Sequence, residues 1–365
     1  MSSRRERFHP PFCPRPSCNF HHNPRGWRFK RIGFYERRAA PTRIQRFLCL
    51  HCSRSFSSQT FHPSYWLRRP DLLPILFQRT LACSANRQIA RELGVAPSSI
   101  SRQLERLGRH CLLFQELHRP RGPIRETLVI DGFETFEFSQ YHPVHFHVAV
   151  GARSHFFYAF TDSELRRKGR MTDHQKKTRA RQESRFGRPD PQSIEKEMAE
   201  LIQSVAREPQ PLRIHSDEHP AYPRALHRLR GFEIEHHVTS SRKPRTPANP
   251  MFPVNLLDLL IRHGGANHKR ETIAFSKRRQ SAAERLAILQ VWRNFVKPFS
   301  ERRRDASPGQ RLGLVSRRFS VADVLRRRLF ATRVELPERV ARYYRREIRT
   351  RRIRNGRSHQ LAYAF

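Results

Sequence analysis

Long hydrophobic runs are missing from this chain. No stretch approaches the roughly 18–20 apolar residues that a membrane-spanning helix needs. The basic opening, MSSRRERFHPPF, lacks the apolar core of a secretory signal. Acidic residues are scarce: 32 Asp and Glu stand against 72 Lys and Arg, a formal net charge of +40. A solvated surface needs no such imbalance, and it costs self-repulsion, so a polyanionic partner is implied, with nucleic acid the commonest. A ribosomal or membrane-surface protein would satisfy the charge alone, but it would rarely carry the runs below in which an aspartate follows a stretch of apolar residues. Cysteine is limited to six, and no internal repeat recurs. With no export signal the thiols are expected in a reducing, cytoplasmic setting, as metal ligands or buried groups rather than disulfides.

What is present falls into segments. Hydrophobic residues make up 37% of the chain and include 26 Phe, enough for a real core. Residues 8–60 are rich in Pro, Arg and aromatics. Residues 65–118 carry apolar side chains at helical spacing. Pro120, Gly122 and Pro123 then mark a linker. Over 126–299 the pattern changes to that of an α/β domain. ETLVIDGFETFEF and VHFHVAVGARSHFFYAF read as successive antiparallel strands, PLRIHSD and FEIEHHV as further strands, and IEKEMAELIQSVA, VNLLDLLIRH and SAAERLAILQVWRNFV as helices. Residues 166–191 are charged and nearly free of aliphatics, and read as an exposed basic insertion with little to order it. Residues 300–365 read as an arginine-rich tail.

Four cysteines are spaced C-x4-C, then thirty residues, then C-x2-C: Cys13, Cys18, Cys49 and Cys52. Close pairs let two thiolates reach one ion, and two such pairs complete a tetrahedral zinc site. The first pair is wider than usual, so His9, His21, His22 and His51 are possible substitutes. Cys83 and Cys111 lie in apolar helical contexts and read as core thiols. NRQIARELGVAPSSISRQLE then has the form of a helix-turn-helix. Ala90 lets two helices approach, Gly94 permits the turn, and Ile100 locks the second helix. That helix, expected over about 97–107, would present Ser98, Ser99, Ser101, Arg102 and Arg106 to a major groove and its phosphates.

Two aspartates each follow an apolar run, Asp131 in LVID and Asp217 in RIHSD. Carboxylates converging from separate elements on two divalent ions are what phosphodiester chemistry needs, and hard oxygen ligands suit Mg²⁺ or Mn²⁺. A third acid is open between Asp258, Glu271 and Glu284. Asp258 sits in an apolar helix, where a carboxylate is costly without a partner. Glu271, beside Lys269 and Arg270, also reads as a surface ion pair.

Taken together, RFLCLHCSRSF, IARELGVAPSSISRQL, LVIDGFETFEF, IHSDEHPAYPRAL and the RETIAFSK stretch that follows VNLLDLLIRH resemble insertion-sequence transposases of the DDE/DDD class, over roughly residues 10–300. The resemblance implies a small zinc ribbon, a helix-turn-helix domain and a ribonuclease-H-like catalytic domain, a mixed sheet flanked by helices. It places Asp131, Asp217 and Asp258 on the catalytic carboxylates, the third being usually Glu in the class. It implies Mg²⁺ or Mn²⁺ there and a structural Zn²⁺ on the cysteines. It also implies that Arg262, His263, Asn267, His268, Lys269 and Arg270 approach DNA phosphates. The partners implied are double-stranded DNA at element ends and target, and further copies of the chain on that DNA, hence a nucleoid-associated protein with no membrane partner. Tyr343 and Tyr344 lack the His and Arg pattern of a tyrosine nucleophile, and no serine motif replaces it. The alternative is a DNA-binding regulator or an inactive transposon relic, with the α/β domain used for dimerisation.

Overall fold

A computed structural model of the chain describes residues 8–269, 271–302 and 305–353. The first layer is a three-stranded antiparallel sheet of β1 (Phe29–Glu36), β2 (Arg43–Cys49) and β3 (Ser55–Ser57). Its register sets Phe29 opposite Cys49 and Phe47 opposite Phe56. The rings of Phe47 and Phe56 stack at 5.4 Å, one of the cross-strand aromatic pairs that hold so small a sheet.

Helices α1 (Leu72–Leu81), α2 (Asn86–Glu92) and α3 (Pro97–Leu117) follow. Gly94 takes φ +60° in the turn between α2 and α3, a conformation that favours glycine. Pro97 opens α3, where its missing N–H costs nothing. Ile89, Ala90 and Ile100 are buried between the helices, each isoleucine stabilising the corner by about 1.5–3 kcal/mol. Two packed helices joined by a tight turn therefore stand where the sequence pattern places them. However, α3 runs to Leu117, ten residues beyond the expected end at 107. Its second half is buried, because it packs on α8 (Arg279–Val291). At Gly108 an added Cβ would lie 2.6 Å from the Glu284 Cβ, so the absence of a side chain is what permits that approach.

The second sheet is five-stranded and mixed, in the order β6-β5-β4-β7-β8. β4 (Leu128–Phe136), β5 (Pro143–Gly151) and β6 (Phe157–Glu164) are antiparallel neighbours, as their spacing predicts. β7 (Pro211–Ser216) runs parallel to β4, and β8 (Glu233–Val238) parallel to β7. β5 is buried along its whole length, which accounts for its near-continuous apolar character. α5 (Ser193–Ala206) covers one face, where Thr161 Oγ1 donates to the Glu197 carbonyl at 2.9 Å. α7 (Phe252–Gly264) and α8 cover the other, where Thr135 Oγ1 donates to the Asn267 carbonyl at 3.3 Å. α6 (Ala221–His227) follows β7 directly.

Two segments differ from their sequence reading. Within the basic insertion, α4 (Asp173–Phe186) is a regular helix, capped by Thr172 accepting from the Gln175 N–H at 3.3 Å. None of its residues is buried, so the expectation of exposure stands and that of little order does not. The segment after 300 is not a free tail over its described length. α9 (Pro308–Arg311), α10 (Val321–Val324) and α11 (Glu338–Arg345) return across the molecule, with Val324, Phe330, Tyr343 and Tyr344 buried. Its arginines are held by acids: Arg346 meets Glu284 at 2.9 Å and Glu105 at 3.0 Å, and Arg339 meets Glu200 at 2.6 Å and Glu197. An amphipathic helix can bury an arginine-rich face where such partners wait. Among the described residues, no helix is long and apolar enough to cross a membrane.

Candidate functional site

The four cysteines arrive from two loops. Cys13 and Cys18 flank a turn before β1, while Cys49 ends β2 and Cys52 follows in the next turn. Their sulfurs all lie within 4.8 Å of one another, with Cys13 and Cys52 3.7 Å apart. Cys13, Cys18 and Cys49 are buried, Cys52 partly so. Around Cys49, burial raises the thiol pKa, but backbone N–H groups of Cys52 and His51 and the Trp27 indole outweigh it and bring it down to about 7. Trp27 Nε1 donates to the sulfur at 3.2 Å. Donors aimed at a sulfur favour the thiolate, the form that binds a metal. These residues could hold a metal such as zinc, and the closed four-sulfur set suits a structural role. No histidine substitute is needed: His21 instead bonds the Cys13 carbonyl and Thr332 at 2.8 and 2.7 Å.

The aspartates are placed by strand register. β4 and β7 pair with Val129 level with His215. Two residues further along both parallel strands stand Asp131 and Asp217, so the two carboxylates issue from neighbouring strands at one end of β7. In open α/β sheets, the crevice beyond the carboxyl ends of parallel strands is the usual ligand position. Asp217 Oδ1 accepts from the His219 backbone N–H at 3.0 Å, which fixes the turn into α6. Tyr222, on α6 and only 1% exposed, donates its hydroxyl to Asp131 Oδ1 at 3.2 Å.

Asp258 comes from α7, on the face of the sheet to which Asp131 points. Its Oδ1 is buried without a hydrogen-bond partner among the described residues. Burial and then the Asp217 charge raise the Asp131 pKa to about 6, against the opposing Gly132 N–H, Tyr222 and Arg245. Burial and then the Asp131 charge raise that of Asp258 to about 7, against Arg262 and Arg245. The Tyr222 hydroxyl is pushed well up by burial and by the charges of all three aspartates. The three acids therefore share one electrostatic neighbourhood in which their charges conflict. A cation would relieve that conflict, and hard oxygen donors with an unpaired buried oxygen suit Mg²⁺ or Mn²⁺. The cluster is more open than the cysteine set: among the described residues no other trio of Cys, His, Asp or Glu donors closes within 4.8 Å.

The rival third acids lie elsewhere. Glu271 is exposed. Glu284 is buried against α3 and bonded by Arg346 and Gln280, at 2.9 and 3.2 Å. The cations differ in placement too. Arg262, one turn beyond Asp258, lies 5.8 Å over the Phe133 ring and donates to the His268 carbonyl at 3.4 Å. His268, expected to approach DNA, is instead 1% exposed, set edge-on to Phe133 and Phe146, and kept neutral by burial and then by Arg285 and Arg262, with a pKa near 3. Asn267 is buried beside it, while His263 and Lys269 are exposed; Arg270 lies outside the described residues. On α3, Ser98 and Arg102 are exposed and Ser99 and Ser101 partly so. Ser101 Oγ accepts from Asn86 Nδ2 at 3.3 Å. Arg106 turns inward to the carbonyls of Pro63, at 2.9 Å, and Tyr65, so it serves the packing of α3 rather than its outer face. Tyr343 is buried on Asp162, and Tyr344 lies beneath Arg109, so neither is set as a nucleophile.

Sequence reasoning missed Trp27, Tyr222 and Arg245. Tyr222 could have been suspected from its place five residues after Asp217, on a helix that must face β4. Arg245 carries no such signal, since it is one of several cations in a Pro- and Arg-rich loop.

No family model matches the chain, and no curated protein does. Among solved structures, a chain from the cryo-EM structure of a simian T-cell lymphotropic virus intasome in complex with PP2A regulatory subunit B56 gamma is 14% identical. The match covers 63% of this chain and 68% of that one, with a TM-score of 0.24, too slight a likeness to carry an argument about fold or activity.

Proposed function

We propose that the chain is a DNA transposase of the DDE/DDD class, with a ribonuclease-H-like catalytic domain over 126–299, a zinc ribbon over 8–60 and a helix-turn-helix reader over 65–118. What supports the reading is that Asp131 on β4 and Asp217 just beyond the parallel strand β7 share an electrostatic neighbourhood with Asp258, whose buried Oδ1 has no hydrogen-bond partner among the described residues. A regulator that only binds DNA has no use for three carboxylates held in mutual repulsion, which costs stability.

Asp131, Asp217 and Asp258 would hold the divalent ions, Asp131 standing between the other two in influence. When bound, such ions supply activation of water or a 3′-hydroxyl and charge relief at the leaving oxygen. The chain's own groups do the rest. Tyr222 orients the Asp131 carboxylate through its hydroxyl. Arg245, exposed yet close enough to influence Asp131 and Asp258, would meet the scissile phosphate, and the exposed Lys269 would meet a flanking one. Ser98, Ser99 and Arg102 would contact the element ends in the major groove. Arg285 of α8 ties this reader to the sheet, donating to Asn86 Oδ1 at 2.7 Å and to the Ser84 carbonyl at 3.0 Å. Strand cleavage followed by strand transfer from the freed 3′-hydroxyl needs no covalent enzyme–DNA intermediate. Assembly of several copies on the paired ends, in the nucleoid, belongs to the same reading.

The test is Mg²⁺-dependent cleavage of duplex carrying the DNA that flanks the gene. Wild type is expected to cut it, and Asp131→Asn and Asp217→Asn to bind without cutting. Binding by the wild type with no cleavage under Mg²⁺ or Mn²⁺ would instead establish the regulator or relic.

A further inference from the structure

A cavity lies far from the acids in sequence, between the three-stranded sheet and the segment that leads into α1. Its volume is about 850 Å³, and no Asp or Glu lines it. One wall is Trp66, 77% exposed and held at φ +62°, a backbone conformation that a bulky side chain seldom adopts. Tyr35, on β1, is a second exposed ring on the lining. Arg38, Arg46 and Arg68 are exposed around it. Gln59 also lines it, 5% exposed, and its Oε1 is buried with no hydrogen-bond partner among the described residues.

Each of these features is costly or idle in the protein alone. A tryptophan left in water forgoes the burial that usually rewards it, and an unpaired buried acceptor costs free energy. Together they match one kind of ligand. Exposed rings offer stacking faces, arginines offer charge to a phosphate chain, and a buried carbonyl oxygen offers an acceptor to a base amino group. A base within a duplex has both faces covered by its stacked neighbours, so the match is to an unpaired one.

We propose that this cavity binds an unpaired base of single-stranded DNA, stacked on Trp66, with its amino edge toward Gln59 and its flanking phosphates on Arg38, Arg46 and Arg68. The site is separate from the aspartates, and Arg106 of α3 braces its Tyr65 wall from behind. It would give the ribbon a role beyond scaffolding, that of holding a displaced or frayed strand.

The test uses the full chain with zinc present and fluorescence anisotropy of three labelled 12-mers: single-stranded dC, the same length with abasic spacers at its centre, and a duplex. Trp66→Ala should weaken the single strand about 10-fold, within the range found for stacking rings, and change duplex binding less than about 2-fold. Trp66→Phe should restore most of the loss. Gln59→Leu should weaken dC about 3-fold or more and leave the abasic strand unchanged. Unaltered duplex binding also reports that the variants fold. Equal losses on duplex and single strand, or no loss for Trp66→Ala, would overturn the proposal. A Gln59→Leu effect as large on the abasic strand as on dC would do the same. None of these outcomes depends on cleavage, so failure of the transposase reading would be seen separately.

Discussion

The sulfurs of Cys13, Cys18, Cys49 and Cys52 lie within 4.8 Å of one another, while Asp131, Asp217 and Asp258 stay further apart and the Asp258 Oδ1 has no hydrogen-bond partner among the described residues. Both clusters draw their ligands from separate elements, and both concentrate groups that repel when ionised. The cysteines lie on short turns of a three-stranded sheet packed through Phe47, Phe56 and Phe61, and a bound metal would tie those turns together. The aspartates come from β4, the turn after β7 and α7, around a five-stranded sheet already stabilised by helices on both faces. That frame can bear carboxylates in conflict. A closed set of ligands suits structure, and an open one suits chemistry.

The largest expected effect breaks the first half of this contrast. Cys49→Ser should release zinc and unfold residues 10–60, since zinc binding to such modules supplies on the order of 10 kcal/mol of folding free energy. Metal content and limited proteolysis would report it, and a ribbon that stays protease-resistant without metal would show that its own packing suffices. The acidic half should respond differently. Asp131→Asn or Asp217→Asn should reduce cleavage by about 10³-fold or more, equivalent to roughly 4 kcal/mol or above, with end binding and global stability retained. Loss of folding in either variant would make the aspartates structural.

Asp258→Asn sharpens the comparison. In metal-free protein it should raise stability at pH 8, because it removes a buried charge that Asp131 opposes. The pH dependence follows the same sign. The Asp131 and Asp258 pKa values are raised in the folded state to about 6 and about 7, so the native protein holds more protons than the unfolded chain between roughly pH 4 and 7. Their contribution to metal-free stability should therefore fall as pH rises through that window, and Asp258→Asn should flatten the curve seen by thermal melting. The smallest effect concerns the reader. Arg102→Ala should cost about 1–3 kcal/mol on the element end if it makes a bidentate base contact, and less on random duplex. An equal loss on both would move Arg102 to the phosphates.

The sequence made these regions legible to different degrees. The cysteine pairs and the α2–α3 corner could be read because spacing alone brings their residues together, and Gly94 and Pro97 mark the turn. Asp131 and Asp217 could be paired because each ends or interrupts an apolar strand, and parallel register then aligns them. The choice of Asp258 over Glu284 rests on tertiary packing, since both acids sit in apolar helices and only the structure shows that Arg346 already neutralises Glu284. The same return of the C-terminal segment explains why an arginine-rich stretch that reads as a tail is buried: its partners, Glu197, Glu200, Glu284 and Glu105, are scattered over residues 105–284. Arg106 and His268 read as DNA ligands by residue type, but their neighbours turn them inward.

Calorimetric titration of Mg²⁺ or Mn²⁺ into the zinc-loaded chain tests most directly whether the aspartates form a divalent-metal site distinct from the cysteines. The expected result is binding that weakens below about pH 6, as protons compete at Asp131 and Asp258, and disappears in Asp131→Asn/Asp217→Asn while the zinc content stays unchanged. Binding that persists undiminished in the double variant, or none in the wild type at pH 8, would contradict it.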